Sequence, residues 1–279
     1  MKTKAIIMSV IITALSLSNC DVIGTNLFES IDKYQYNVSS SMSNHDIAKI
    51  LNNVNPDDLS SSDVAKMSES LQKTMSQGST TDKQEAALLM VDLKLSRSEG
   101  NTAVNNVPYV INTLLSDSSD IGSKPSITQE LFTNLLGSPS SIEEVADLID
   151  IMTTVEDALA VFNVSSSQVL LDMDEAALST LVQQAIVVTA ISMIVDIIKS
   201  SNSSGYSTEE AFYILLTADV NGDNDFVYKG NTVGYDKIIN ETGLQNNIDE
   251  LTGIMDSTGS GNTSYQYLEL VLDTSGLTF

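Results

Sequence analysis

Along most of this chain the apolar side chains return every third or fourth residue, the spacing that gathers them on one face of an α-helix. Val64, Met67, Leu71 and Met75 make one such face, Leu88, Val91 and Leu95 a second, and Val145, Leu148, Ile149, Met152, Val155 and Leu159 a third. The stretch at about 174–200 behaves differently. Its early polar residues (Ser179, Thr180, Gln183, Gln184) and its later ones (Thr189, Ser192, Asp196, Ser200) mark roughly opposite faces, and residues 185–188 carry no polar group. No face of that helix stays wet, so the pattern predicts a central core helix surrounded by other helices. A transmembrane span needs about 20 predominantly apolar residues. Gln183, Gln184, Thr189, Ser192 and Asp196 all fall inside any window that long, and no basic cluster flanks it.

Start signals repeat ahead of these runs. A Ser, Thr or Asp with an acid or Gln three residues on occurs at Ser60 with Asp63, Thr81 with Gln84, Ser126 with Gln129, Ser141 with Glu144, Asp172 with Glu175, and Ser207 with Glu210. Such a pair satisfies backbone N–H groups that the first turn of a helix leaves open. Gly78, Gly100, Gly137 and Gly205 fall between runs, Pro139 follows a helix end, and Pro108 sits near the start of an apolar segment at 109–115. The predicted fold is all-α: a bundle of helical hairpins or a short α-solenoid around the 174–200 helix. After residue 200 a polar break leads to a short helix over 207–218, an acidic stretch, and then Leu244, Ile248, Leu251, Ile254 and Met255 at helical spacing. The tail at 265–272 fits a closing helix or a strand, and the pattern leaves it open.

The first twenty residues have a different grammar. Lys2 and Lys4 precede an apolar run at 5–17, which steps through a short polar stretch to Cys20, the only cysteine. This is the layout of a secretory signal. Leu17-Ser18-Asn19-Cys20 resembles the lipobox of bacterial lipoprotein precursors, with Asn19 standing where Gly, Ala or Ser is usual, a relaxation similar to that of spirochaete lipoboxes. The resemblance implies cleavage before Cys20 and a lipid, including a diacylglyceryl group and palmitate-type chains, on Cys20 as the first mature residue. It also implies an exported protein anchored to a bacterial membrane, on its periplasmic face or at the cell surface. The expected organisation is then a signal peptide at 1–19, the lipidated Cys20 and a polar tether at 20–43, an α-helical domain at 44–200, and a C-terminal helical subdomain with the acidic loop at 201–279.

Charge narrows the partners. The chain carries a net −24; losing residues 1–19 lowers Lys plus Arg from 13 to 11 against 37 acids, a balance of −26. A surface that negative repels phosphate backbones and anionic headgroups and favours cations, so nucleic acid is not an expected partner. The Asn-x-Ser/Thr sequons at Asn37, Asn163, Asn202, Asn240 and Asn262 would suggest glycans in a eukaryotic secreted protein; beside a sequence that resembles a bacterial lipobox they read as chance matches in a chain rich in Ser and Asn.

For chemistry, the strongest candidate is Asp219-Val-Asn221-Gly-Asp223-Asn-Asp225. Asp219, Asn221, Asp223 and Asp225 alternate after a helix end, resembling the first half of a calcium loop of the EF-hand or dockerin kind. The sixth place is Asn224 instead of Gly, and the twelfth is Gly230 instead of an acid. The plain alternative is an Asx-rich turn. His45, the only histidine, reads as a surface residue near a helix start. Glu143 with Glu144, Asp147 with Asp150, and Glu209 with Glu210 match the paired carboxylates of glycoside hydrolysis only in type, since acids are expected in helix first turns. There is no Trp, aromatics are 5% of residues, and no Gly-rich phosphate loop or Cys/His cluster occurs. The reading is a membrane-anchored lipoprotein that binds or scaffolds a protein or small ligand without catalysis and needs no cofactor beyond its covalent lipid. A calcium-binding module and an envelope-polymer hydrolase are the alternatives.

Overall fold

A computed structural model describes residues 37–96, 105–106, 124–162, 167–222, 225–257 and 271. The segment read as a signal, Cys20, the apolar segment at 109–115 and the 265–270 part of the tail lie outside the described residues. The elements in order are α1 (Asn44–Leu51), a 3-10 turn (Pro56–Asp58), α2 (Ser61–Gln77), α3 (Thr80–Leu95), α4 (Pro125–Leu136), α5 (Ile142–Leu159), α6 (Gln168–Leu171), α7 (Glu175–Ser201) and α8 (Thr208–Thr217). Three short strands follow, β1 (Asp219–Asn221), β2 (Asp225–Tyr228) and β3 (Asn231–Gly234), then α9 (Tyr235–Ile238) and α10 (Glu241–Ser257). The protein is predominantly helical, as the apolar periodicity requires.

Helices begin where side chains can cap them. Ser60, Ser141 and Ser207 each accept from the backbone N–H three residues on, at the predicted starts. The other three starts are displaced by two residues, each for a local reason. Ser79 and Asp82 form a reciprocal capping box directly after Gly78, so α3 starts ahead of Thr81. Pro125 presets the first helical φ of α4, so the helix begins before Ser126 and has no side-chain cap. Asp172 closes α6, and Asp174 caps α7 by accepting from Ala177 N–H at 2.8 Å.

The core has two pivots. α7 buries fifteen of its residues and packs against α5, α8, α9 and α10. α5 in turn packs against α3, α7 and α8, while α2 and α3 form a hairpin with α1 laid on α3. The middle of α7 therefore has neighbours all round, as its shifting polar residues predict. It is long and apolar enough to cross a membrane, with a mean hydropathy of 2.0, but 83% of that window is buried inside the fold. Residues on both sides of position 200 share one apolar cluster. At the other end, the last part of the 20–43 segment is docked: Val38 is buried and the Ser70 hydroxyl donates to the Met42 carbonyl at 2.7 Å.

The small sheet is absent from the helical reading. β1, β2 and β3 run antiparallel in that order, pairing Asn221 with Asp225 and Tyr228 with Asn231. Phe226, Tyr228 and Val233 turn inward against α8 and α9, and the ring of Phe226 meets that of Tyr235 edge-on at 5.9 Å. Lys229 and Gly230 (φ 50° and 78°) supply the two left-handed residues of a type I′ turn between β2 and β3. Strands of three and four residues give period-2 alternation too little length to register.

Candidate functional site

The site forms where α4 meets the end of α8 and the start of β1. α4 buries Thr128, Leu131, Phe132 and Leu135, which leaves residues 126, 129, 130, 133 and 134 together on its other side at helical spacing. Thr128 anchors the helix: its hydroxyl lies 2.9 Å from the Tyr235 hydroxyl in the interior. Burial pushes the Tyr235 phenol above its ordinary range, so it stays protonated and available as a donor.

The exposed side of α4 also closes the end of α8. The last carbonyls of a helix lack intrahelical partners. Here the Gln129 amide donates to the Ala218 carbonyl at 2.7 Å and the Thr133 hydroxyl to the Leu216 carbonyl at 3.1 Å. Between these bridges and β1 lies an open groove of about 630 Å³, walled by the α4 face, Tyr213, the α8–β1 corner and Ser138-Pro139. Its volume is that of a small-ligand or peptide-side-chain site. Among the described residues, Glu130 and Asp219 are its ionisable lining residues apart from Tyr213, and no Lys or Arg lines it.

The acidic stretch singled out in the sequence is the strand pair bordering this groove. Asp219 and Asn221 are exposed on β1 with Val220 between them turned partly inward, and Asn221 pairs across to Asp225 on β2. Asp219, Asn221 and Asp225 thus share one face of a hairpin, whose turn includes Gly222 at φ 71°. Asp223 lies outside the described residues. The described part of the stretch is extended. On an extended strand, alternate residues stand about 7 Å apart, so Asn221 and Asp225 face each other while Asp219 sits one repeat away, against the groove. Among the described residues, no three His, Cys, Asp or Glu side chains are grouped to hold a metal ion.

Of the paired carboxylates considered for hydrolysis, Glu144, Glu209 and Glu210 have structural partners. Ser140 donates to Glu144 from its backbone N–H at 2.7 Å and from its hydroxyl at 2.6 Å, holding that carboxyl below the usual range. Glu209 is held low by its own backbone N–H and by the Ser207 hydroxyl. Glu210 accepts from Lys229 at 3.0 Å and from the Tyr228 hydroxyl at 3.1 Å. His45 is exposed in the first turn of α1.

Two acids that the sequence reading passed over are perturbed upward. Asp92 on α3 keeps access to water but is crowded by protein on its other sides; this desolvation pushes it up to about 6, against a hydrogen bond with Gln184 of α7. Glu156 on α5 is raised by partial burial, opposed by the Ser192 hydroxyl, which donates to it at 2.9 Å. The signal was present for Asp92, an acid set between Met90, Val91, Leu93 and Leu95, all of which are buried. Glu130 had no comparable signal, because its site is made by a helix more than eighty residues away in sequence. Comparison of the chain with protein-family models, with curated proteins and with solved structures returned no match.

Proposed function

We propose that this is an exported bacterial lipoprotein, anchored to a membrane through Cys20, whose helical body works by binding. The observation that carries the binding reading is the groove between α4 and the α8–β1 corner, an open concave surface of mixed polar and apolar lining whose walls are joined by the Gln129 and Thr133 hydrogen bonds. Its mechanism is positional: the lipid confines the chain to the bilayer surface, the segment before Val38 gives reach, and the groove engages a protein or small ligand there. Glu144, Glu209 and Glu210, one or both members of two of the acid pairs, are engaged by helix caps and by Lys229, which favours this reading over a hydrolase built on those pairs.

The anchor is tested by feeding the source bacterium an alkyne analogue of palmitate. Label on the wild-type chain, with none on Cys20→Ala and release of that variant from washed membranes, is the expected result. An unlabelled wild-type chain in the soluble fraction overturns the anchor. Calcium is a second reading, favoured by Asn221 and Asp225 facing each other across the hairpin with Asp219 on the same side. It requires the thermal midpoint to rise between chelator and millimolar calcium, and an unchanged midpoint ends it.

A further inference from the structure

We draw no further inference here: the strongest candidate, the side-chain cluster at the junction of α8 and β2 in which the rings of Tyr206 and Tyr213 meet that of Tyr228 edge-on, shares Tyr213 with the groove already described, its Tyr228 hydroxyl and neighbouring Lys229 ammonium both donate to Glu210, and nothing among the described residues shows what would cover it.

Discussion

α7 and the corner made by α4, α8 and β1 are held by different physics. α7 is fixed by many weak, interchangeable contacts: Val187, Val188, Ile191, Ile194 and Ile198 are each at most 2% exposed among neighbours on several sides. The corner rests on the same apolar cluster and adds to it a few directional bonds between named partners: Thr128 with Tyr235, Gln129 with Ala218, Thr133 with Leu216, and Glu210 with Lys229 and Tyr228. A surface built the second way can change its chemistry by single polar substitutions without disturbing the core that supports it. That is the property a binding site needs and a core helix does not.

The largest expected effect lies on the core side. Ile191→Ala removes a fully buried side chain from the middle of α7 and should cost about 3 kcal/mol, transfer and cavity terms together. Denaturant unfolding followed by far-ultraviolet signal and by tyrosine fluorescence should show both midpoints falling together, because Tyr235 and the hairpin rest on the same cluster. Separate midpoints would break the comparison by making the corner a unit of its own.

A smaller loss is expected at the joint between the two regions. Tyr235→Phe keeps the ring packed on Phe226 and removes the hydroxyl that meets Thr128, for a cost of about 1 kcal/mol. An unchanged unfolding midpoint would show that α4 is held by its apolar side chains and by Gln129 and Thr133 without help from this pair.

The α3–α7 boundary sharpens the contrast through pH. The Asp92 carboxyl is raised from 3.8 to about 6 in the fold, so between those values the native state holds a proton that the unfolded chain has released. Its contribution is fully present below about 3.8 and is lost as pH rises toward about 6. Glu156 is raised as well and acts in the same direction. Glu144 and Asp46, held low by Ser140 and Ser43, act oppositely and lose their contribution as the solution is acidified through their folded-state range. Asp92→Asn should therefore reduce the fall in stability between about pH 4 and pH 6, read as urea midpoints across that window. An unchanged slope would mean that solvent access, not crowding, governs this carboxyl.

How much could be read in advance followed the same division. The 64–75, 88–95 and 145–159 faces and the apolar centre of α7 were legible because helical period repeats over several turns. Ser60, Ser141 and Ser207 were legible as caps because a cap is a local bond between near neighbours. Asp219 was legible as a candidate, but not the hairpin that carries it, since Phe226 and Tyr228 alternate only once and the turn residue Lys229 is not a usual left-handed one. The groove itself could not be read at all. Gln129 and Ala218 are 89 residues apart, and nothing local in either segment names the other.

The smallest expected effect sits at the tip of the sheet, where two opposing contributions nearly cancel. Lys229 holds φ 50°, a conformation that costs a residue with a Cβ roughly 1 kcal/mol and that Asn tolerates better. In return its ammonium reaches Glu210 at 3.0 Å and lies 4.7 Å from the centre of the Tyr228 ring. Those contacts hold Lys229 well above its ordinary pKa, but its side chain is 63% exposed, so the ion pair is screened and contributes little. Lys229→Asn relieves part of the backbone cost and loses both screened contacts, so stability should move little in either direction. Gly230→Ala, one residue on at φ 78°, has no contact to lose and only strain to gain, and should cost about 1 kcal/mol. Measured side by side, the two substitutions separate the turn from the ion pair. A loss at Lys229 larger than at Gly230 would mean that Glu210 and Tyr228 hold the hairpin against α8, and that the corner depends on its directional bonds out to its edge.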